Sequence, residues 1–169
     1  TTWSESAITW NNRPALGATL ATTGAVTANA WVEFDVTAAV TTNGLVSFGL
    51  TNADWDGVYY DSRETGANAP QLIVTSATVV TTTTTTTTTI PSGSTEVTVP
   101  VAADATTDSA TPTTALGGGT AVSADGQPTR VGYFRFSVTG VSGTVTRARL
   151  RLHVQNSTVG PSPGGGRRL

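Results

Sequence analysis

The residues best equipped for chemistry alternate along one short run. Arg147, Arg149 and Arg151, followed by His153, interleave with Ala148, Leu150, Leu152 and Val154, the period-two pattern of a strand with one apolar face. On such a strand every second side chain recurs about 6.6–6.8 Å apart. A row of guanidinium forks at that spacing could grip carboxylates along an acidic polysaccharide. Arg135 and Tyr133, on the outward side of Tyr133–Val138, would widen the row if that strand lay beside it. The same arginines could instead pair across the sheet with Glu33, Asp35 or Asp61, exposed pairs that contribute about 0–1 kcal/mol each.

Aromatic side chains offer a second route to a sugar, whose C–H faces stack on flat rings. Trp55, Tyr59 and Tyr60 cluster at an expected loop-to-strand junction, and Trp55 and Tyr59 are the candidate ligand contacts, whereas Trp10 and Trp31 read as framework. Asp104, Asp108 and Asp125 sit near expected strand ends. Carboxylates so placed are candidate ligands of a structural calcium ion, a hard cation that takes several oxygens; the alternative is ordinary solvated turn acids. Asp54 and Asp56 flank Trp55. Paired acids for sugar hydrolysis come from separated elements across a cleft, so this pair reads as a turn. The single His153 reads as a solvated strand residue, and no nucleophile elbow, P-loop or zinc-protease motif is present. No catalytic residue is assigned, and the expectation is a protein that is not an enzyme. Asn156-Ser157-Thr158 is a glycosylation sequon, relevant in a eukaryotic secretory pathway.

These residues must be carried by strands. Charged residues make up 12% of the chain and the net charge is -2, which gives no pull toward nucleic acid or anionic membrane. All basic residues are arginine, and there is no cysteine to form a disulfide or thiolate site. A chain that opens Thr1-Thr2-Trp3 reads as a processed piece of something longer. No apolar run approaches the roughly 18 residues of a membrane helix, so membrane insertion is not expected. Alternation marks Trp31–Val36 with Val32, Phe34 and Val36 inward, Tyr133–Val138 with Phe134, Phe136 and Val138 inward, and Thr146–Val154. Ile8–Trp10, Leu45–Leu50, Gly57–Ser62, Gln71–Thr75 and Glu96–Val101 are further expected strands, with turns at Asn43-Gly44 and Asp125-Gly126 and one helical turn within Asp35–Val40. About eight short strands with one apolar face each imply two packed sheets, an all-β antiparallel sandwich of jelly-roll type.

Four zones follow: strands over 1–77, a Thr-rich linker over 78–94 with nine consecutive threonines at Thr81–Thr89, strands again over 95–155, and a disordered Gly/Pro tail over 156–169. Within the first zone Trp3-Ser4-Glu5, Ile8-Thr9-Trp10-Asn11-Asn12-Arg13-Pro14, Trp31-Val32-Glu33-Phe34-Asp35-Val36-Thr37, and Ser62-Arg63-Glu64 leading to Ala69-Pro70-Gln71-Leu72-Ile73-Val74 stand out. In the third zone, Val101-Ala102-Ala103-Asp104, Tyr133-Phe134-Arg135-Phe136 and Arg147-Ala148-Arg149-Leu150-Arg151-Leu152 do so. These strings resemble the DNRLRE-type domain, carbohydrate-binding module family 96, with the order of the family's halves reversed: the C-terminal half comes first. The resemblance implies either a circular permutant or parts of two tandem repeats, and one sandwich closed from 1–77 and 95–155. It further implies a non-catalytic, secreted or cell-surface module that binds an acidic polysaccharide such as alginate. The alternative is a structural spacer repeat of an adhesive protein. A monomer is expected, with a swapped dimer as the competing assembly.

Overall fold

The computed structural model describes residues 2–78 and 93–157. Most of the expected linker, including Thr81–Thr89, and the tail from 158 onward lie outside the described residues. Among the described residues nine strands follow in order: β1 (Trp31–Asp35), β2 (Gly44–Thr51), β3 (Val58–Asp61), β4 (Gln71–Thr78), β5 (Gly93–Asp108), β6 (Leu116–Gly117), β7 (Ala121–Gly126), β8 (Thr129–Val138) and β9 (Thr144–Ser157). Every pairing among them is antiparallel. The expected all-β antiparallel sandwich is the architecture found.

One sheet runs β1-β9-β4 and continues into the first half of β5. The second runs β2-β8 and continues into the second half of β5 and on to β6. The long strand β5 therefore turns a corner: Gly93–Pro100 pairs with β4, and Val101–Asp108 with β8, with a register shift at Val101/Ala103. Strands that change sheet at a bulge are how such sandwiches close. β9 closes the other side, because its last residues pair with β3, which pairs in turn with β7.

Alternation explains the core. Phe34 and Val36 near β1, Leu72 and Val74 of β4, and Ala148, Leu150, Leu152 and Val154 of β9 meet Phe48 and Leu50 of β2 and Phe134, Phe136 and Val138 of β8 in one apolar cluster. Phe48 and Phe136 pack edge to face with centroids 6.0 Å apart, a preferred aromatic geometry. A single 3-10 turn at Thr37–Ala39 answers the helical turn expected there.

Three expectations need correction. Ile8–Trp10 is not a strand but part of a turn-rich strap, fixed by amides of Ala7 and Ile8 donating to Ser4 O. The β7–β8 turn falls two positions later than expected: Gly126 pairs with Thr129, so Gln127-Pro128 forms the loop and Asp125-Gly126 ends the strand. Thr78, Gly93 and Ser94, assigned to the linker, and Asn156 and Ser157, assigned to the tail, are strand residues, with Thr78 opposite Gly93, Asn156 opposite Tyr59 and Ser157 opposite Val58. β4 and β5 are thus adjacent partners on either side of the threonine run.

Candidate functional site

The arginine row forms on the expected face and is already engaged. In β9, Arg149 lies opposite Asp35, and Arg151 opposite Glu33 of β1. Arg149 Nη1 donates to Glu33 Oε2 at 2.9 Å and its Nη2 to Glu96 Oε2 at 3.2 Å. Arg151 reaches Glu33 at 3.8 Å and donates to Gln71 Oε1 at 3.4 Å, while its guanidinium carbon stands 4.2 Å from the Trp31 ring centre. Arg147 is exposed, and its charge helps hold the Asp35 carboxyl below its ordinary range, after the hydrogen bonds from Thr37. The face therefore mixes Arg147, Arg149 and Arg151 with Glu33, Asp35 and Glu96, and little net charge remains.

His153, at the end of the row, is not solvated as expected. Its Nδ1 lies 2.6 Å from Asp61 Oδ2, both side chains are largely buried, and the Trp31 ring packs edge-on 5.1 Å away. Gln155 Nε2 donates to the other Asp61 oxygen at 3.1 Å. Asp61 is therefore partnered with His153 and Gln155.

Tyr133 and Arg135 do not widen the row. They lie on β8, in the sheet opposite β9. Tyr133 points away from the main core, as alternation requires, yet it is only 2% exposed. The strap of residues before β1 covers it: Trp3, Ile8, Ala103, Ala105, Val131 and Tyr133 form a second apolar cluster, and the Tyr133 hydroxyl donates to Pro14 O at 2.8 Å. Burial pushes that hydroxyl up to about 12. Arg135 donates to Trp3 O and stacks 5.2 Å from the Trp3 ring centre. A strand pattern records which side a residue faces and not what lies over that side, so the outward direction of Tyr133 and Arg135 does not place them on an open face.

The acidic residues separate as well. Asp108 Oδ2 accepts from Arg130 Nε at 2.8 Å and its Oδ1 from the Ala110 amide, while Asp125 Oδ1 accepts from the Gln127 amide at 3.0 Å. These two are turn and ion-pair acids. Asp104 joins a different group: Glu5, Glu64 and Asp104 each place a carboxylate oxygen within 4.8 Å of the others. Asp104 is 1% exposed and accepts from the Arg63 amide at 2.7 Å. Burial, with Glu64 and Glu5 nearby, pushes its carboxyl up to about 7 against the Arg63 hydrogen bond. The donors suit a hard cation in kind. However, the Arg63 guanidinium already bridges Glu5 at 3.0 Å and Glu64 at 2.9 Å, so an ion would have to displace it. The strings Trp3-Ser4-Glu5 and Ser62-Arg63-Glu64 carry Glu5 and Glu64, but only the fold brings them to Asp104.

Trp55 stands apart. It occupies the bend between β2 and β3 and is 80% exposed. The bend is braced from beneath. Asn52, buried, accepts from the Asp54 amide at 3.1 Å and donates to Asp56 O. The Gly126 amide donates to Asp54 O at 2.8 Å. A Cβ on Gly126 would fall 2.5 Å from Asp54 O, so the close approach requires glycine. Asp54 and Asp56 thus lie in a turn around Trp55, as expected. Tyr59 is half-buried, with its hydroxyl accepting from Arg130 Nη1 at 3.2 Å.

The molecule is an all-β sandwich with one charge-balanced polar face and one exposed aromatic bend. Residues 1–76 match the sequence model of carbohydrate-binding module family 96, so over that stretch the chain is similar to this family. The matched stretch contains Trp3, Glu5, Trp55, Arg63 and Glu64 and ends within β4. No curated protein and no solved structure matches the chain. Among the described residues no helix is long and apolar enough to cross a membrane.

Proposed function

We propose that the chain is a non-catalytic carbohydrate-binding module of a larger secreted or cell-surface protein, holding a polysaccharide against its surface. The observation that carries this is the match of residues 1–76 to a family named for carbohydrate binding. The braced, exposed Trp55 supports it, since a ring held open to solvent offers a stacking surface with little ordering cost. The binding unit is one sandwich built from both segments, because each of β1 to β4 takes its partners from β5 to β9. An acidic polysaccharide such as alginate is the second reading on ligand, favoured by exposed Arg147 at the end of the arginine row.

Electrophoresis in native gels cast with and without polysaccharide tests the proposal. Migration slows in at least one polysaccharide gel relative to the plain gel. A folded sample that migrates identically in all of them supports instead a spacer repeat with no ligand.

A further inference from the structure

Resting on the carbohydrate-binding reading, we propose that the ligand is an uncharged polysaccharide held at the Trp55 bend, and not a uronate polymer held at the arginine row. Two observations carry this. The first is the state of the arginines. A polyanion needs a row of guanidinium donors to spare, but only Arg147, at the end of the row, stands exposed: Arg149 is already shared between Glu33 and Glu96, and Arg151 is divided among Glu33, Gln71 and the Trp31 ring. A uronate binding there would have to displace carboxylates already in place, and it would meet Glu33, Asp35 and Glu96 at close range.

The second observation is the charge around the exposed ring. Asp54 and Asp56 flank Trp55 directly, and Asp125 lies beneath the bend, where a Cβ on Gly57 would fall 2.9 Å from its Oδ2. Arg130, the cation on the adjoining β8, is engaged by Asp108 at 2.8 Å and by the Tyr59 hydroxyl at 3.2 Å. The surroundings of the ring are therefore anionic. Like charges disfavour a sugar polymer bearing a carboxylate on every unit. An uncharged polymer suffers no such repulsion: its C–H faces stack on the indole, and its hydroxyls donate to carboxylate oxygens, which accept only. The brace from Asn52 and Gly126 holds the ring in place before binding, so little freedom is lost when the ligand arrives.

The test uses the whole chain in gels containing hydroxyethylcellulose, galactomannan, mixed-linkage β-glucan or alginate, alongside Trp55→Ala, Trp55→Phe and the triple replacement of Arg147, Arg149 and Arg151 by Ala. The expected result is retardation by one or more of the neutral polymers and none by alginate. Retardation weakens about tenfold in Trp55→Ala, as loss of one stacking contact implies, and is partly kept in Trp55→Phe. It changes little from about 0.05 to about 0.5 M NaCl, since no ion pair with ligand is being screened. Tryptophan fluorescence shifts with the neutral polymer, and this shift disappears in Trp55→Ala. Retardation by alginate that fades with salt and vanishes in the triple arginine variant overturns the inference while leaving the carbohydrate-binding reading intact. Neutral-polymer binding that is unchanged in a folded Trp55→Ala overturns the placement at the bend. No retardation of folded wild-type protein by any of the four overturns the carbohydrate-binding reading itself.

Discussion

The segment before the threonine run supplies β1 to β4, and the segment after it supplies β5 to β9. Among the described residues only the later segment has ladders of its own, β5–β6, β5–β8 and β7–β8. Among the described residues no ladder joins two strands of the earlier segment. Yet that earlier segment carries the family match, the Trp55 bend and the strap that seals Tyr133. The stretch that matches the family model is therefore not the stretch that pairs strands of its own. Its strands are ordered because β5, β7, β8 and β9 present complementary edges to them, and unpaired backbone groups at those edges would otherwise face solvent or a disrupted core.

The largest expected effect follows from that asymmetry. With a protease site placed inside Thr81–Thr89 and cleaved, the two fragments stay together on size-exclusion chromatography and separate only under denaturant. Segment 1–78 then shows no cooperative unfolding transition alone. Clean separation into two independently folded pieces would break the comparison outright.

Next in size is the contrast across β9, the later-segment strand gripped between β1 and β4 of the earlier one. Leu150 is fully packed between the sheets, so Leu150→Ala lowers stability by about 2–5 kcal/mol. Arg149→Ala, whose partners sit on the outer face, lowers it by about 0–1 kcal/mol. Urea unfolding of the two variants gives both values; equal losses would mean that the outer face holds the segments together as firmly as the core.

A third effect, read through pH, concerns Asp104, where β5 meets Glu5 and Arg63 of the earlier segment. Its carboxyl is pushed up to about 7 in the folded protein from an ordinary value of 3.8. The folded state therefore binds the proton more tightly than the unfolded chain does. The resulting stabilisation is complete below about pH 4 and is lost as the pH rises through about 7. Melting temperatures measured across that window fall for the wild-type chain, and Asp104→Asn flattens this part of the profile. An unaltered profile in Asp104→Asn would remove Asp104 from the account of how the segments join.

Much of the fold was legible because alternation survives wherever a strand has one wet side. β1, β8 and β9 showed their inward residues correctly, down to Phe134, Phe136, Leu150 and Leu152. Legibility failed where both sides are covered. The second half of β5 is small and polar after Val101, yet Ala103 to Asp108 are buried, because the strap covers Ala103 and Ala105 on one side while Arg63, Ser123 and Arg130 meet Asp104, Thr106 and Asp108 on the other. For the same reason Ile8–Trp10 looked like a strand: Ile8 is buried at 2%, but as part of the covering strap.

The sequence by itself determined the class of structure and the composition of each strand face, since side-chain direction in a strand is a local property of the backbone. It also determined that Trp55 would ride on a turn, with acids on either side. Only the tertiary structure decided which faces are open and which charges are spent. The arginine row has carboxylate partners because β1 and β5 bring Glu33 and Glu96 across to Arg149, a juxtaposition of residues 116 and 53 positions away in the chain. Tyr133 is sealed because the strap folds over β8. Exposure and charge compensation depend on what lies across space, and local pattern carries no record of that.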